Sequence, residues 1–323
     1  MTLLVVNYHY VAAEEPAAPH AIFPVGVDAF AAQLEALGRT FEFVSGDDIL
    51  RGELPERACL VTFDDGLREQ FELALPVLDR LGVAALFFVP GRPLAEGRGL
   101  YVHKLHHLRE RHTDEELLGL IGARVEDVPE QVATAHYAYD TAEAARVKYL
   151  LNVALPLEER EALVNRLFDE PEDGFCRRLY MSPRQVLALG QRGMLGSHAY
   201  AHVPLALLDP VALRDDLAGA AAVLERLTGE RPRAISYPHG SAVAVTRAVA
   251  EAAGMAGFAV GFTMERALNA TLEDPLLLAR MDMNDVPGGS RPLLSAVGGE
   301  LVVGGGAAEA RSRYFAEAEA VSR

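Results

Sequence analysis

The chain has 323 residues, of which 50% are hydrophobic, and its 30 basic against 46 acidic side chains give a formal net charge of 30 − 46 = −16. A surface this negative repels nucleic acid and anionic membrane, no basic cluster interleaved with aromatics offsets it, and no apolar run reaches membrane-span length. Two cysteines, Cys59 and Cys176, with no C-x-x-C pair, exclude a disulfide framework, while the length suffices for one barrel-sized core or two smaller ones.

The opening stretch, Met1 to Tyr10, lacks a basic n-region and a long apolar h-region. It reads as a strand over residues 3–8 rather than a signal peptide, so the cytoplasm is the expected location. His9 falls at the carboxyl end of that strand, the edge where barrel active sites lie. It is either a site residue or a hydrogen-bonded strand-end histidine. A proline-rich loop follows, then apolar residues at helical spacing from Val27 to Leu37, ending at Gly38. Phe41 to Val44 alternates like a short strand, and Ser45 caps the helical turn after it.

The apolar run Cys59–Phe63 ends in Asp64-Asp65-Gly66, before a helical segment from Leu67 to Leu81. A buried strand stopping on carboxylates is what an α/β enzyme needs at the ligand-binding edge of its sheet. On extended backbone the two Asp side chains point to opposite sides, so one can hold a metal while the other holds a proton. An Asp N-cap is the plainer alternative. Val83–Val89 is an unbroken apolar run of the kind buried on both faces of a parallel sheet, and completes a βαβ unit.

Residues 92–181 read as a helical insertion, through segments at Thr113–Ile121, Thr141–Leu151 and Leu157–Phe168. It is large enough for a lid, and equally suited to a scaffold or dimer face. Among its histidines, His103 and His106 have metal-like spacing but lie on a basic amphipathic segment, which suggests a solvated face. Ser182-Pro183 opens a helix to Gly190. The stub Met194-Leu195 then leads to Gly196-Ser197-His198-Ala199-Tyr200-Ala201-His202. Two histidines four apart on one face of a helical turn can converge on one ion, and two imidazoles with one carboxylate are the ligand set of a hydrolytic zinc site.

Asp209-Pro210 starts a helix through Leu227, and Ala234–Tyr237 is a strand running into Pro238-His239-Gly240. A helix over Thr246–Ala253 and strands over Gly257–Phe262 and Leu276–Asp282 follow. Gly304-Gly305-Gly306 is no nucleotide loop, because Glu309 and the short remaining chain do not suit one. From about residue 301 a linker and terminal helix are expected. The sequon Asn269-Ala270-Thr271 is discounted without a secretion signal.

Alternating strands and helices indicate an α/β fold with parallel strands. The motifs Asp64-Asp65-Gly66, Gly196-Ser197-His198-x3-His202 and Tyr237-Pro238-His239-Gly240, in that order, resemble the NodB-like polysaccharide deacetylases, the fourth carbohydrate esterase family, over residues 1–92 and 182–290. The resemblance implies a single catalytic domain built as a distorted, incomplete (β/α) barrel and interrupted by the insertion. It implies Asp64 as general base, and Asp65, His198 and His202 as ligands of a divalent metal, zinc before cobalt, nickel or manganese. Tyr237, Pro238 and Gly240 would line the substrate site, with the backbone N–H after Pro238 in an oxyanion hole.

Several positions depart from the family pattern. Ala199 replaces the Ser or Thr after the first histidine, and His239 the motif's tyrosine. Ser236 replaces the arginine that steadies the base, and Arg280 can reach across to Asp64 in its stead. No Leu-x-Leu-x-His supplies a general acid, for which His239, His9 and the pair His103/His106 are candidates in that order. The implied reaction is removal of an N-acyl group, N-acetyl foremost, from an amino sugar, with a small or lipid-linked precursor suiting the cytoplasm. Hydrolysis of a ureide-type C–N bond and a non-catalytic glycan-binding role are the alternatives.

Overall fold

The computed structural model describes residues 1–14, 24–122, 128–136, 141–297 and 300–303. Among the described residues it divides into two compact units, one formed by residues 1–14, 24–98 and those from Cys176 onward, the other by Gly99–Phe175. The insertion is therefore narrower than 92–181: the helix Gly91–Glu96 and the segment from Cys176 to Met181 pack with the first unit.

The main sheet of the first unit has eight parallel strands among the described residues. They are β1 (Thr2–Tyr8), β2 (Glu42–Phe43), β3 (Arg57–Phe63), β4 (Ala85–Val89), β5 (Leu195–Ser197), β6 (Ala234–Ser236), β7 (Val260–Phe262) and β8 (Met281–Asp282). Their order is β8-β1-β3-β4-β5-β6-β7, with β2 beside β3. The helices used below are α1 (Val27–Gly38), α2 (Leu75–Leu81), α3 (Gly91–Glu96), α4 (Pro183–Gly190), α5 (Pro210–Thr228) and α6 (Arg247–Met255). Their starts follow local chemistry: Ser182 caps α4 in a capping box with Gln185, Asp209 accepts from Val211 N–H and Ala212 N–H at α5, and Thr246 caps α6.

Strand parity sorts the buried side chains into two sets. Leu4, Val6, Cys59, Val61, Phe63, Phe87 and Val89 pack outward with Phe30 and Leu34 of α1 and Leu78 of α2. Leu3, Val5, Ala58, Leu60, Leu86, Phe88, Ala234, Val260, Phe262 and Leu278 fill the interior. Gly196 is needed at that interior level, since a Cβ there would lie 2.4 Å from the Phe88 ring. The same parity carried one step toward the carboxyl ends brings Asn7, Thr62, Asp64, Ser236 and Arg280 together: an apolar barrel floor ends in a polar top layer.

The expected strand over Leu276–Asp282 is mostly not a strand. Pro275–Leu277 is a 3-10 turn and only Met281–Asp282 is regular. The segment is nonetheless the closing stave of the barrel. Leu278 N–H donates to Gly261 O at 2.8 Å and Thr263 N–H to Leu278 O at 2.8 Å, while Met281 pairs with Val6. A stave that leans from β7 across to β1 cannot keep one long register with either. The segment expected as one helix from Leu67 instead begins with a π-helical turn at Gln70–Ala74 before α2, a form common at functional sites. Where a tail was expected from about 301, Leu294–Val297 pairs antiparallel with Glu300–Val303. The expected terminal helix and Gly304–Gly306 lie outside the described residues.

The second unit is helical as expected, with helices at Tyr101–Arg111, Asp114–Ile121, Glu130–His136, Ala142–Tyr149 and Leu157–Leu167 around Leu105, Leu118, Ala133, Val147 and Leu151. Its first helix does not present a solvated histidine face. His103, Lys104 and His107 are buried; Lys104 Nζ donates to Asn165 Oδ1 at 2.7 Å and to Glu172, and His107 faces Glu170 at 3.5 Å. These side chains are the polar core of the unit.

Candidate metal centre

Asp65, His198 and His202 come together at the carboxyl end of the sheet, their ligand atoms all within 4.8 Å of one another. Among the described residues it is the only such group of His, Cys, Asp and Glu. Asp65 Oδ1 lies 3.4 Å from His198 Nε2 and 3.2 Å from His202 Nε2. Donors held at about 2.0–2.1 Å around a tetrahedral ion are about 3.3 Å apart, so the three atoms fit one zinc-sized ion. Tautomer agrees with this: His198 Nδ1 is 2.8 Å from Ser236 O, so it donates there and leaves the Nε2 lone pair toward Asp65.

The route to convergence differs from the two backbone expectations. His198–His202 is not a helical turn. It is irregular, with left-handed backbone at Ala199 (φ 57°) and His202 (φ 56°). Nor are the two aspartates on one extended strand: β3 ends at Phe63, and Asp65 has φ 76° followed by Gly66 at 61°. Asp64 keeps the inward direction of the strand, and the left-handed step re-aims Asp65 to the histidines. With His239 (φ 62°), these are all four non-glycine residues of positive φ among the described residues. Conformations costing on the order of 1–2 kcal/mol each are gathered at one place, as is usual where ligand geometry outweighs local preference.

Asp64 occupies the polar layer under this group. Arg280 spans it with two hydrogen bonds, NH1 to Oδ1 at 2.9 Å and NH2 to Oδ2 at 2.8 Å, and Asn7 donates to Oδ2 at 3.1 Å. Arg280 is fully buried and also donates to Thr263 O (2.9 Å), Asn7 Oδ1 (3.0 Å) and Ser236 Oγ (2.8 Å). The expected reach of Arg280 to Asp64 is therefore real, and Ser236 yields the space a long side chain would fill. Burial alone would raise the Asp64 carboxyl, but the Arg280 charge, with His198 and His9, brings it down to about 2. His198 is pulled both ways: burial lowers it, Asp64 and Asp65 raise it, and the net is upward.

Gln70, from the π-helical turn, fixes the Asp64–Gly66 corner. It donates to Asp64 O (2.6 Å) and His9 O (2.9 Å) and accepts from Leu67 N–H (3.1 Å). His9 is half-buried just beyond β1. His239 is exposed, with its ring 5.1 Å from that of His202. Gly240 is needed after it, because a Cβ there would lie 2.7 Å from Met264 N. Tyr237 and Pro238 are buried; Tyr237 donates to Leu276 O at 2.9 Å within the core, so its ring does not offer itself to a ligand as expected. His103 and His106 belong to the second unit and join no cluster of possible metal ligands among the described residues.

A family model described as polysaccharide deacetylase matches residues 158–258. This span contains the two-histidine turn and Tyr237–Gly240. No curated protein sequence matches the chain. Among solved structures, the Streptococcus pyogenes deacetylase PplD in complex with acetate is similar at a TM-score of 0.54 and 15% identity, over 88% of this chain and 92% of that one. IcaB from Ammonifex degensii gives 0.53 and 20%, over 87% and 91%. A de-N-acetylase from Aggregatibacter actinomycetemcomitans gives 0.53 and 16%, over 87% and 94%. At these identities the likeness to the solved structures is one of fold, and it is the distorted (β/α) barrel. The stretch with the two histidines thus matches the polysaccharide deacetylase model, and the fold is shared with solved deacetylases.

Asn7, Gln70 and Thr62 are site-supporting residues that sequence reading missed. Asn7 had a signal: it is the one amide in the apolar run Leu3–Tyr8, at the parity of the barrel interior. Gln70 had none, because its partners are backbone groups. No helix among the described residues is long and apolar enough to cross a membrane.

Proposed function

We propose that this chain is a metal-dependent hydrolase that removes an N-acyl group, N-acetyl foremost, from an amino sugar or glycan precursor. One observation carries the reading: an Asp/His/His donor set adjoins a separate buried carboxylate, Asp64, that Arg280 keeps ionised. A binding module has no use for such a pair. Asp65, His198 and His202 would hold the ion, zinc before cobalt, nickel or manganese. A bound divalent ion would lower the pKa of a water toward about 7 and polarise the acyl carbonyl.

Asp64 takes the water proton. Its low pKa keeps it ionised at neutral pH but makes it a weak base, so it suits a proton already loosened by a neighbouring charge. The backbone N–H of His239, in its left-handed turn, stabilises the oxyanion. The leaving amine takes its proton from His239, whose ring stands beside that of His202; His9 is the second candidate. His239→Gln is expected to lose the alkaline limb of kcat against pH and about 10²–10⁴ in rate with its metal retained. If His239→Gln keeps that limb and His9→Gln loses it, the assignment passes to His9. The substrate is a small or lipid-linked amino sugar, and the cytoplasm is the proposed location.

Metal analysis of the purified protein is expected to give about one equivalent of divalent ion, lost in His198→Ala. Acetate should be released from N-acetylated sugars. Ammonia from ureides in its place would move the protein to the other reading of the same fold, and a wild-type protein that takes up no divalent ion would end the metal mechanism.

A further inference from the structure

The two-histidine turn is unfavourable by itself, with left-handed backbone at Ala199 and at the ligand His202. Its carbonyls are engaged by the β4–α3 segment: Gly91 N–H donates to Ala199 O at 3.0 Å and Arg92 N–H to Tyr200 O at 2.9 Å, while His198 N–H donates to Val89 O at 3.0 Å. Its central N–H groups go elsewhere. Tyr200 N–H donates to Asp216 Oδ1 at 2.7 Å and Ala201 N–H to Asp216 Oδ2 at 3.0 Å. One carboxylate, both oxygens used, therefore spans the two residues midway between the ligands.

Asp216 stands on α5, whose core-facing residues are Leu213, Leu217, Ala220, Ala221 and Leu224. One turn further along lies Gly219, where a Cβ would be 3.4 Å from the Tyr200 ring; at Gly91 a Cβ would be 2.6 Å from it. The Tyr200 ring thus lies against two glycines, and its hydroxyl donates to Glu96 at 2.7 Å. Charge-assisted bonds to backbone N–H are roughly twice as strong as neutral ones. They offset the cost of the left-handed steps and set the direction in which His202 leaves the turn.

We infer that Asp216 is a positioning residue for the metal ligands: its carboxylate clamps the Tyr200 and Ala201 amides and holds His198 and His202 at ligand spacing before any ion binds. This rests on the metal-centre reading above. The side chain touches neither ion nor substrate, so its effect is on affinity for the ion.

The test uses Asp216→Asn in the full chain, because Asn keeps the size but offers one acceptor and turns an N–H₂ toward the second amide. Zinc affinity is measured by competition with a chromogenic chelator. Hydrogen exchange of the Tyr200 and Ala201 amides is measured in metal-free protein. The expected result is a zinc Kd weaker by about 10–100-fold, with faster exchange at those two amides and unchanged exchange in β3. Asp215→Asn, one residue away and exposed, should match wild type. If Asp216→Asn does not fold, Asp216→Glu is read the same way, with a smaller loss expected. A Kd within about twofold of wild type, or unchanged exchange at both amides, overturns the inference. Wild-type protein that binds no zinc refutes the metal reading and the affinity role with it, while faster exchange in the variant would still identify the clamp.

Discussion

Replacing Asp64 by Asn is expected to leave metal uptake intact and to remove turnover, if Asp64 is the base proposed above. Asp65, His198 and His202 are untouched by the change, so metal content should equal that of wild type, while kcat falls by about 10²–10⁴ with the loss of the base. The structure adds a stability effect. Arg280 is fully buried, and among the described residues Asp64 is the carboxylate it pairs with. Breaking a buried pair from one side costs about 3–5 kcal/mol, so the variant should also melt earlier. A linked pH effect disappears with the carboxyl. Asp64 titrates at about 2 in the folded chain against about 3.9 in an unfolded one. The depressed value means the unfolded chain binds more protons between these limits. Its stabilising contribution, about 2–3 kcal/mol, is complete above pH 4 and is lost as pH falls through 2. Wild type minus Asp64→Asn, followed by denaturant melts across that window, should show this slope. If Asp64→Asn loses its metal as Asp65→Asn does, the division of labour between the carboxylates is wrong.

The second large effect belongs to Arg280→Met. The side chain fits the space but takes away the hydrogen bonds to Asp64, Asn7, Ser236 and Thr263 O. Asp64 is then buried without its cation, and burial, the largest influence on it, pushes its carboxyl upward. The acid limb of kcat/KM should move to higher pH, and stability should fall by about 3–5 kcal/mol. Arg280→Lys should not restore either, since an ammonium cannot make the paired contact with both carboxylate oxygens. An unshifted acid limb in Arg280→Met would mean that Asp64 does not set it.

Some of this molecule was decided by the sequence within short windows. Ser182-Pro183, Asp209-Pro210 and Gly82 start or stop helices because a cap satisfies backbone groups only a few residues away. The strands at Thr2–Tyr8, Arg57–Phe63 and Ala85–Val89 are mostly apolar because both faces are covered, with Asn7 and Thr62 near their carboxyl ends the exceptions that reach the polar layer. Asp64, Asp65, His198 and His202 stand out in the sequence because they lie just beyond apolar runs, where a parallel sheet binds ligands. So does Arg280 as the one strong cation on a late apolar stretch.

What the windows could not decide is direction. The histidines meet Asp65 through left-handed corners rather than helical spacing, and such corners persist only because groups distant in sequence hold them. Gln70 reaches back to His9, and Asp216, 15 and 16 residues beyond its partners, clamps the histidine turn. The contact of Arg280 with Asn7 spans 273 residues and exists because one short stave closes the barrel between β7 and β1. Local propensity acts over one or two turns and selects elements. The convergence of side chains is a property of closure, where strand parity and the packing of Phe88 and Phe262 below leave one polar layer for the charges to share.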